Sequence, residues 1–77
     1  IIDSYGWVLF RLGKTREALE HLRHAYALQQ DADIASHLGQ VLWVLGNKEE
    51  ARKHFDEARK IDPENRSLQR ALEEVGA

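Results

Sequence analysis

Gly6-Trp7-Val8-Leu9-Phe10-Arg11-Leu12-Gly13 and Gly39-Gln40-Val41-Leu42-Trp43-Val44-Leu45-Gly46 are one pattern written twice, at an offset of 33 residues (6 to 39, 13 to 46). Both glycines and three aliphatic residues coincide. The same offset lays Glu17-Ala18 on Glu50-Ala51, His21 on His54, Leu22 on Phe55, Ala25 on Ala58 and Leu28 on Ile61. Self-similarity at a fixed period of this length is the mark of a stacked repeat, in which each unit is too small to bury its own apolar face and relies on its neighbours.

Within each unit the apolar residues recur at helical spacing. Ile2, Tyr5, Leu9 and Leu12 form one stripe, and Ala18, Leu22, Ala25 and Leu28 form the next. Between them, Leu12-Gly13-Lys14 and Leu45-Gly46-Asn47 place a glycine just past the last apolar residue, where it takes the left-handed conformation that ends a helix. The second unit ends at Ile61-Asp62-Pro63, since proline lacks an N–H and holds the residue before it extended. Beyond it Leu68, Leu72 and Val75 share one face, with Arg66, Gln69, Arg70, Glu73 and Glu74 elsewhere and Gly76 as the stop. The spacing predicts five helices, over about 1–12, 15–29, 33–45, 48–61 and 65–75. Short links make neighbours antiparallel. This is an all-α chain with repeat 1 at about 1–31, repeat 2 at about 32–64 and a capping helix at about 65–76.

Composition narrows the chemistry. Hydrophobic residues make up 43% and charged residues 31% of the 77, enough apolar material for a folded domain. There is no cysteine, which removes disulfides, thiolate metal sites and thiol catalysis. A net charge of −2, from 11 basic and 13 acidic residues, provides no field for nucleic acid. No apolar run approaches the roughly 18 residues of a membrane span. A chain that opens on Ile1 is expected to be part of a longer array, with any targeting signal upstream and the compartment unspecified.

These residues resemble the tetratricopeptide repeat. That motif places small residues at three recurring positions, met here by Gly6, Ala18 and Ala25 and again by Gly39, Ala51 and Ala58, and a proline near the end of the unit, met by Pro63. Small residues let the two helices of a hairpin approach closely while larger ones fill the gap. The resemblance implies a right-handed superhelix of two helix-turn-helix repeats closed by a C-terminal capping helix. Departures are Ile2 and Ala35 where an aromatic is usual, Leu9 and Leu42 where tyrosine is, and Gln30 where proline is common. The offset is 33 where roughly 34 is usual, so one residue is missing near 29–33. The run from Asp3 to Phe10 also looks like the closing repeats of long bacterial members.

In this family the first helix of each hairpin lines a concave groove that holds protein or peptide partners. The resemblance nominates Asp3, Ser4, Trp7, Phe10 and Arg11 from the first unit, and Asp33, Ser36, His37, Gln40, Trp43 and Val44 from the second. Tryptophan, phenylalanine and arginine bury large areas at low rotamer cost, so a peptide lying across Trp7, Phe10 and Trp43 is the expected mode of binding. Phe10 and Trp43 stand equally where such repeats place an aromatic to pack the next hairpin. The lysine-and-asparagine clamp by which some members hold a carboxylate terminus is not matched. Trp7 and Gln40 stand at its asparagine positions, and Val44 at one of its lysines.

Other chemistry is unsupported. His21 and His24 lie one turn apart near Glu17 and Glu20, but a zinc site needs three or four convergent ligands. No nucleophile with a neighbouring base and no glycine-rich phosphate loop is present, so neither an enzyme nor a cofactor is expected. Two functions remain: a docking module for another protein, or the structural end of a solenoid whose groove lies upstream. Ile1, Ile2 and Tyr5 form an apolar edge through which the chain would pair with an upstream repeat or a second copy.

Overall fold

The glycine stops act as the sequence predicts. Gly13, Gly46 and Gly76 have φ of +83°, +94° and +72°, a region that costs a residue with a side chain strain. At each interhelical turn the two N–H groups beyond the helix fold back onto its last carbonyls. Gly13 N donates to Phe10 O at 3.0 Å and Lys14 N to Leu9 O at 2.9 Å, and the second unit repeats this with Gly46 N to Trp43 O and Asn47 N to Leu42 O. This pairing satisfies carbonyls that would otherwise be orphaned at the helix end.

The computed structural model describes residues 8–76. Helix α1 is seen over 8–11, followed by α2 (Thr15–Leu28), α3 (Ala32–Val44), α4 (Lys48–Ile61) and α5 (Arg66–Val75). Asp3, Ser4 and Trp7, and the edge of Ile1, Ile2 and Tyr5, lie outside the described residues. Each fully described helix agrees with its expected span to within a residue at either end.

The link between α2 and α3 has three residues, 29–31, and that between α4 and α5 has four, 62–65. The short link is where the repeat loses its residue. Both links end on a side-chain cap. Asp31 Oδ1 accepts from Asp33 N at 2.7 Å, and Asn65 Oδ1 accepts from Leu68 N at 3.0 Å. Ahead of Pro63, Asp62 is extended at φ −155° and ψ 95°, as a residue preceding proline must be.

Helix α3 is the hub and packs against α2, α4 and α5. It buries Ala32, Ile34, Ala35, Ser36, Leu38, Gly39, Gln40, Val41 and Leu42, far more than a one-sided helix buries. The helices around it each offer a narrow stripe: Ala18, Leu22 and Ala25 from α2, Ala51, Phe55 and Ala58 from α4, and Leu68 and Ala71 from α5. In α2 and α4 the alanines flank one large side chain, so each backbone comes close to α3 while Leu22 or Phe55 fills the space between.

Two residues of the expected apolar stripes depart from that role. Leu12 is 69% and Leu28 65% exposed; Leu12 lies in the turn after α1 and Leu28 is the last residue of α2. Ala71, which the stripe Leu68, Leu72 and Val75 did not include, is wholly buried, while Leu72 and Val75 are half-buried at the margin of the core.

Candidate functional site

Helical geometry divides the nominated residues of α3 into two rows. Asp33, His37, Gln40 and Val44 follow one another at intervals of four, three and four and share one row. Ser36, Gly39 and Trp43 form a second row, and contacts show that it faces α4. Gly39 abuts the ring of Phe55, and the Trp43 ring has Lys48 Nζ 5.1 Å and Arg52 Cζ 5.6 Å from its centroid.

Ser36 therefore turns inward. It is fully buried, and its hydroxyl donates to the Ala32 carbonyl at 2.7 Å, so it has no surface to offer a partner. Trp43 is half-buried against the core, bracketed by two cations of the neighbouring helix. A cation over an indole face contributes about 0.5–1 kcal/mol at exposed positions. The bracket thus fixes the ring against α4 rather than along the first row.

On the first row, α5 occupies two of the four positions. Asp33 Oδ1 accepts from Asn65 Nδ2 at 2.9 Å, and the Gln40 amide donates to the Glu74 carboxylate. Gln40 is buried as a result. His37 remains half-buried and Val44 is 59% exposed. In the first unit the residues matching Trp43 and Val44 are Phe10, half-buried against the core, and Arg11, exposed. Residues paired by the 33-residue offset thus share their burial, Arg11 and Val44 exposed and Phe10 and Trp43 at the core margin.

Sequence reasoning missed a polar network between α2 and α4. Arg23 pairs with Glu50 at 2.9 Å, and Tyr26 donates its hydroxyl to Glu57 Oε1 at 3.0 Å. His54 Nδ1 lies 3.0 Å from the same Glu57 oxygen, and its ring meets Tyr26 edge-on with centroids 5.5 Å apart. Burial, then the hydrogen bond and negative charge of Glu57, push the Tyr26 phenol up to about 12. The signal lay in the spacing: His54 and Glu57 stand three apart on one face of α4, and Arg23 and Tyr26 three apart on one face of α2, polar pairs that the two helices bring together.

Among the described residues no group of three or more histidine, cysteine, aspartate or glutamate side chains gathers as a metal site requires, and no helix is long and apolar enough to cross a membrane.

A tetratricopeptide repeat family model matches residues 6–66, which takes in the first hairpin from Gly6 onward, the whole of the second and the cap of the closing helix. A TPR repeat-containing protein of Pseudomonas aeruginosa is 42% identical over 40 residues, covering 52% of this chain. The match spans only 7% of that relative's length. No solved structure matches the chain. With its paired glycine stops, its alanine-flanked contacts and this match over most of its length, the chain belongs to the tetratricopeptide repeat family.

Proposed function

We propose that this chain is a docking module in which Val44, with His37 on the same row of α3 and Arg11 at the matching position of the first unit, holds a segment of another protein. Tetratricopeptide repeats generally serve as protein-interaction and scaffold modules. The observation that carries the reading for this chain is Val44, an aliphatic side chain 59% exposed on an otherwise engaged helix, at the repeat position that Arg11 fills in the first unit. Val44 offers an apolar contact and Arg11, at the equivalent position one repeat earlier, a charged hydrogen-bond donor. Asp33 and Gln40 serve the reading indirectly, by fixing α5 as one wall of the site.

A second reading is favoured by α5. Its outer face carries Arg66, Gln69, Arg70 and Glu73, all exposed, and its inner face carries Leu68 and Ala71. A polar outer face is what a terminal capping element of a solenoid requires. On this reading the residues close an array and the partner binds elsewhere.

A photo-crosslinking side chain at position 44, compared with one at Lys60, distinguishes the two. A docking module yields a discrete adduct with a partner from position 44 and none from position 60. Equal labelling at both positions, or none, would leave the capping role as the function of this segment. Replacing Trp7 and Trp43 together by alanine then tests whether the aromatic residues contribute.

A further inference from the structure

Helix α4 sorts its charges. Glu50 and Glu57 turn toward α2, where Arg23 and Tyr26 engage them. On the opposite edge Lys48, Arg52 and Arg59 follow at intervals of four and seven, one row along the helix. Neither Lys48 nor Arg52 belongs to any ion pair found among the described residues, and both lie against Trp43. The acid within this row is Asp56, which Arg59 already holds at 3.3 Å. Beside the row, α4 and α5 border a cleft of about 190 Å³ lined by Phe55 and Leu72 and by Arg52, Arg59 and Asp56, the last of these held by Arg59. A chain of net charge −2 therefore presents a cationic edge with an aromatic ring and an apolar notch within it.

We propose that this edge, apart from the α3 row described above, docks an acidic segment of a partner protein, whose carboxylates meet Lys48 and Arg52 and whose aliphatic side chain enters the Phe55–Leu72 notch. Charge complementarity selects the occupant. Two cations held within 5.1 and 5.6 Å of one ring repel each other, and an approaching carboxylate relieves that repulsion. The notch between arginines suits an aliphatic side chain, which a polyphosphate backbone lacks.

The test uses the chain with a fluorescein-labelled peptide of the repeating unit Glu-Glu-Leu-Glu, followed by anisotropy. Saturable binding that weakens with added salt is expected. Lys48→Glu with Arg52→Glu should weaken it at least about tenfold. The neutral pair Lys48→Gln with Arg52→Gln, which keeps much of the aliphatic length, should fall between. Lys53→Glu with Lys60→Glu changes the net charge by the same amount away from the row and should leave affinity within about twofold. Circular dichroism of each variant establishes that the helices persist. The proposal is overturned by equal weakening from the two charge-reversal pairs, by absence of saturable binding, or by an oligothymidylate that binds more tightly than the peptide.

Discussion

The Cα of Gly39 lies against the ring of Phe55 so closely that a Cβ at position 39 would stand 2.6 Å from Cε1 and 2.8 Å from Cδ1. It would also come within 3.1 Å of the Ala51 carbonyl oxygen, so the backbone of α4 blocks it as well as the ring. Glycine in mid-helix forgoes about 1 kcal/mol of propensity relative to alanine. Here that sacrifice sets the separation of two helices. Gly39→Ala should destabilise the chain despite the propensity gain, since overpacking costs about 1–3 kcal/mol and neither obstacle moves freely. Combining it with Phe55→Leu, the residue type that Leu22 supplies in the first unit, should recover part of the loss. Urea midpoints of the two singles and the double measure this. A Gly39→Ala variant more stable than the parent would show that the ring yields.

Asn65 performs two tasks with one amide: its oxygen caps α5 at Leu68 N and its nitrogen reaches Asp33. Asn65→Ala should lose both, about 1 kcal/mol for the cap alone. Asn65→Asp keeps the capping oxygen but replaces the donor with a carboxylate facing Asp33. It should therefore retain amide protection in the first turn of α5, while a double-mutant cycle with Asp33→Ala should show the favourable coupling to position 33 replaced by a repulsive one. If Asn65→Asp and Asn65→Ala expose the first turn equally to hydrogen exchange, the cap contributes nothing separable.

The raised phenol of Tyr26 predicts a dependence on alkaline pH. Burial and Glu57 favour the protonated ring in the folded state, up to about 12, whereas an unfolded tyrosine titrates near 10. The stabilisation is complete below about pH 10 and is lost as pH rises toward 12, because the unfolded chain then releases a proton that the folded chain retains. The melting temperature of the parent should fall more steeply across that window than that of Tyr26→Phe. The difference between their phenolate absorbance titrations should show a step displaced to alkaline pH. Parallel melting curves would remove Tyr26 as the cause.

Ser36 separates a buried position from a binding position. Its hydroxyl bonds within its own helix to Ala32 O, so Ser36→Ala should shift stability by no more than about 1 kcal/mol. Ser36→Leu forces a larger side chain into a site with no exposed surface and should cost about 1–3 kcal/mol. Thermal melts of the two variants decide it. A leucine tolerated without loss would mean that position 36 has room to reach solvent.

These positions mark how far the sequence could be read. The offset that aligns Gly13 with Gly46 and Ala18, Leu22 and Ala25 with Ala51, Phe55 and Ala58 specified the helices and their facing stripes, because periodicity and helix stops are local properties. Ser36 and Gln40 were harder to read as members of a groove. A serine or glutamine at helical spacing looks the same whether a neighbouring helix covers it or not, and the helices that cover these two, α4 and α5, are set by tertiary packing. Trp43 shows the same limit from the other side: its aromatic character was evident, but the bracket of Lys48 and Arg52 depends on how α4 lies against it. The exposure of Leu12 and Leu28 was not legible either, since a pattern of apolar residues marks a face without saying how much of it a neighbour covers.

Helix α5 is pinned to α3 near both of its ends, by Asn65 on Asp33 and by Glu74 on Gln40, with Leu68 and Ala71 seated between them. A bar fastened at two points cannot swing on either one. Release of a single pin lets an end fray but leaves the helix in register, so detachment of α5 requires both bonds to open and the apolar contacts to part together. A pull applied through the C-terminus is consequently borne first by the Glu74–Gln40 pin, with the Leu68 contact and the Asn65–Asp33 pin held in reserve behind it.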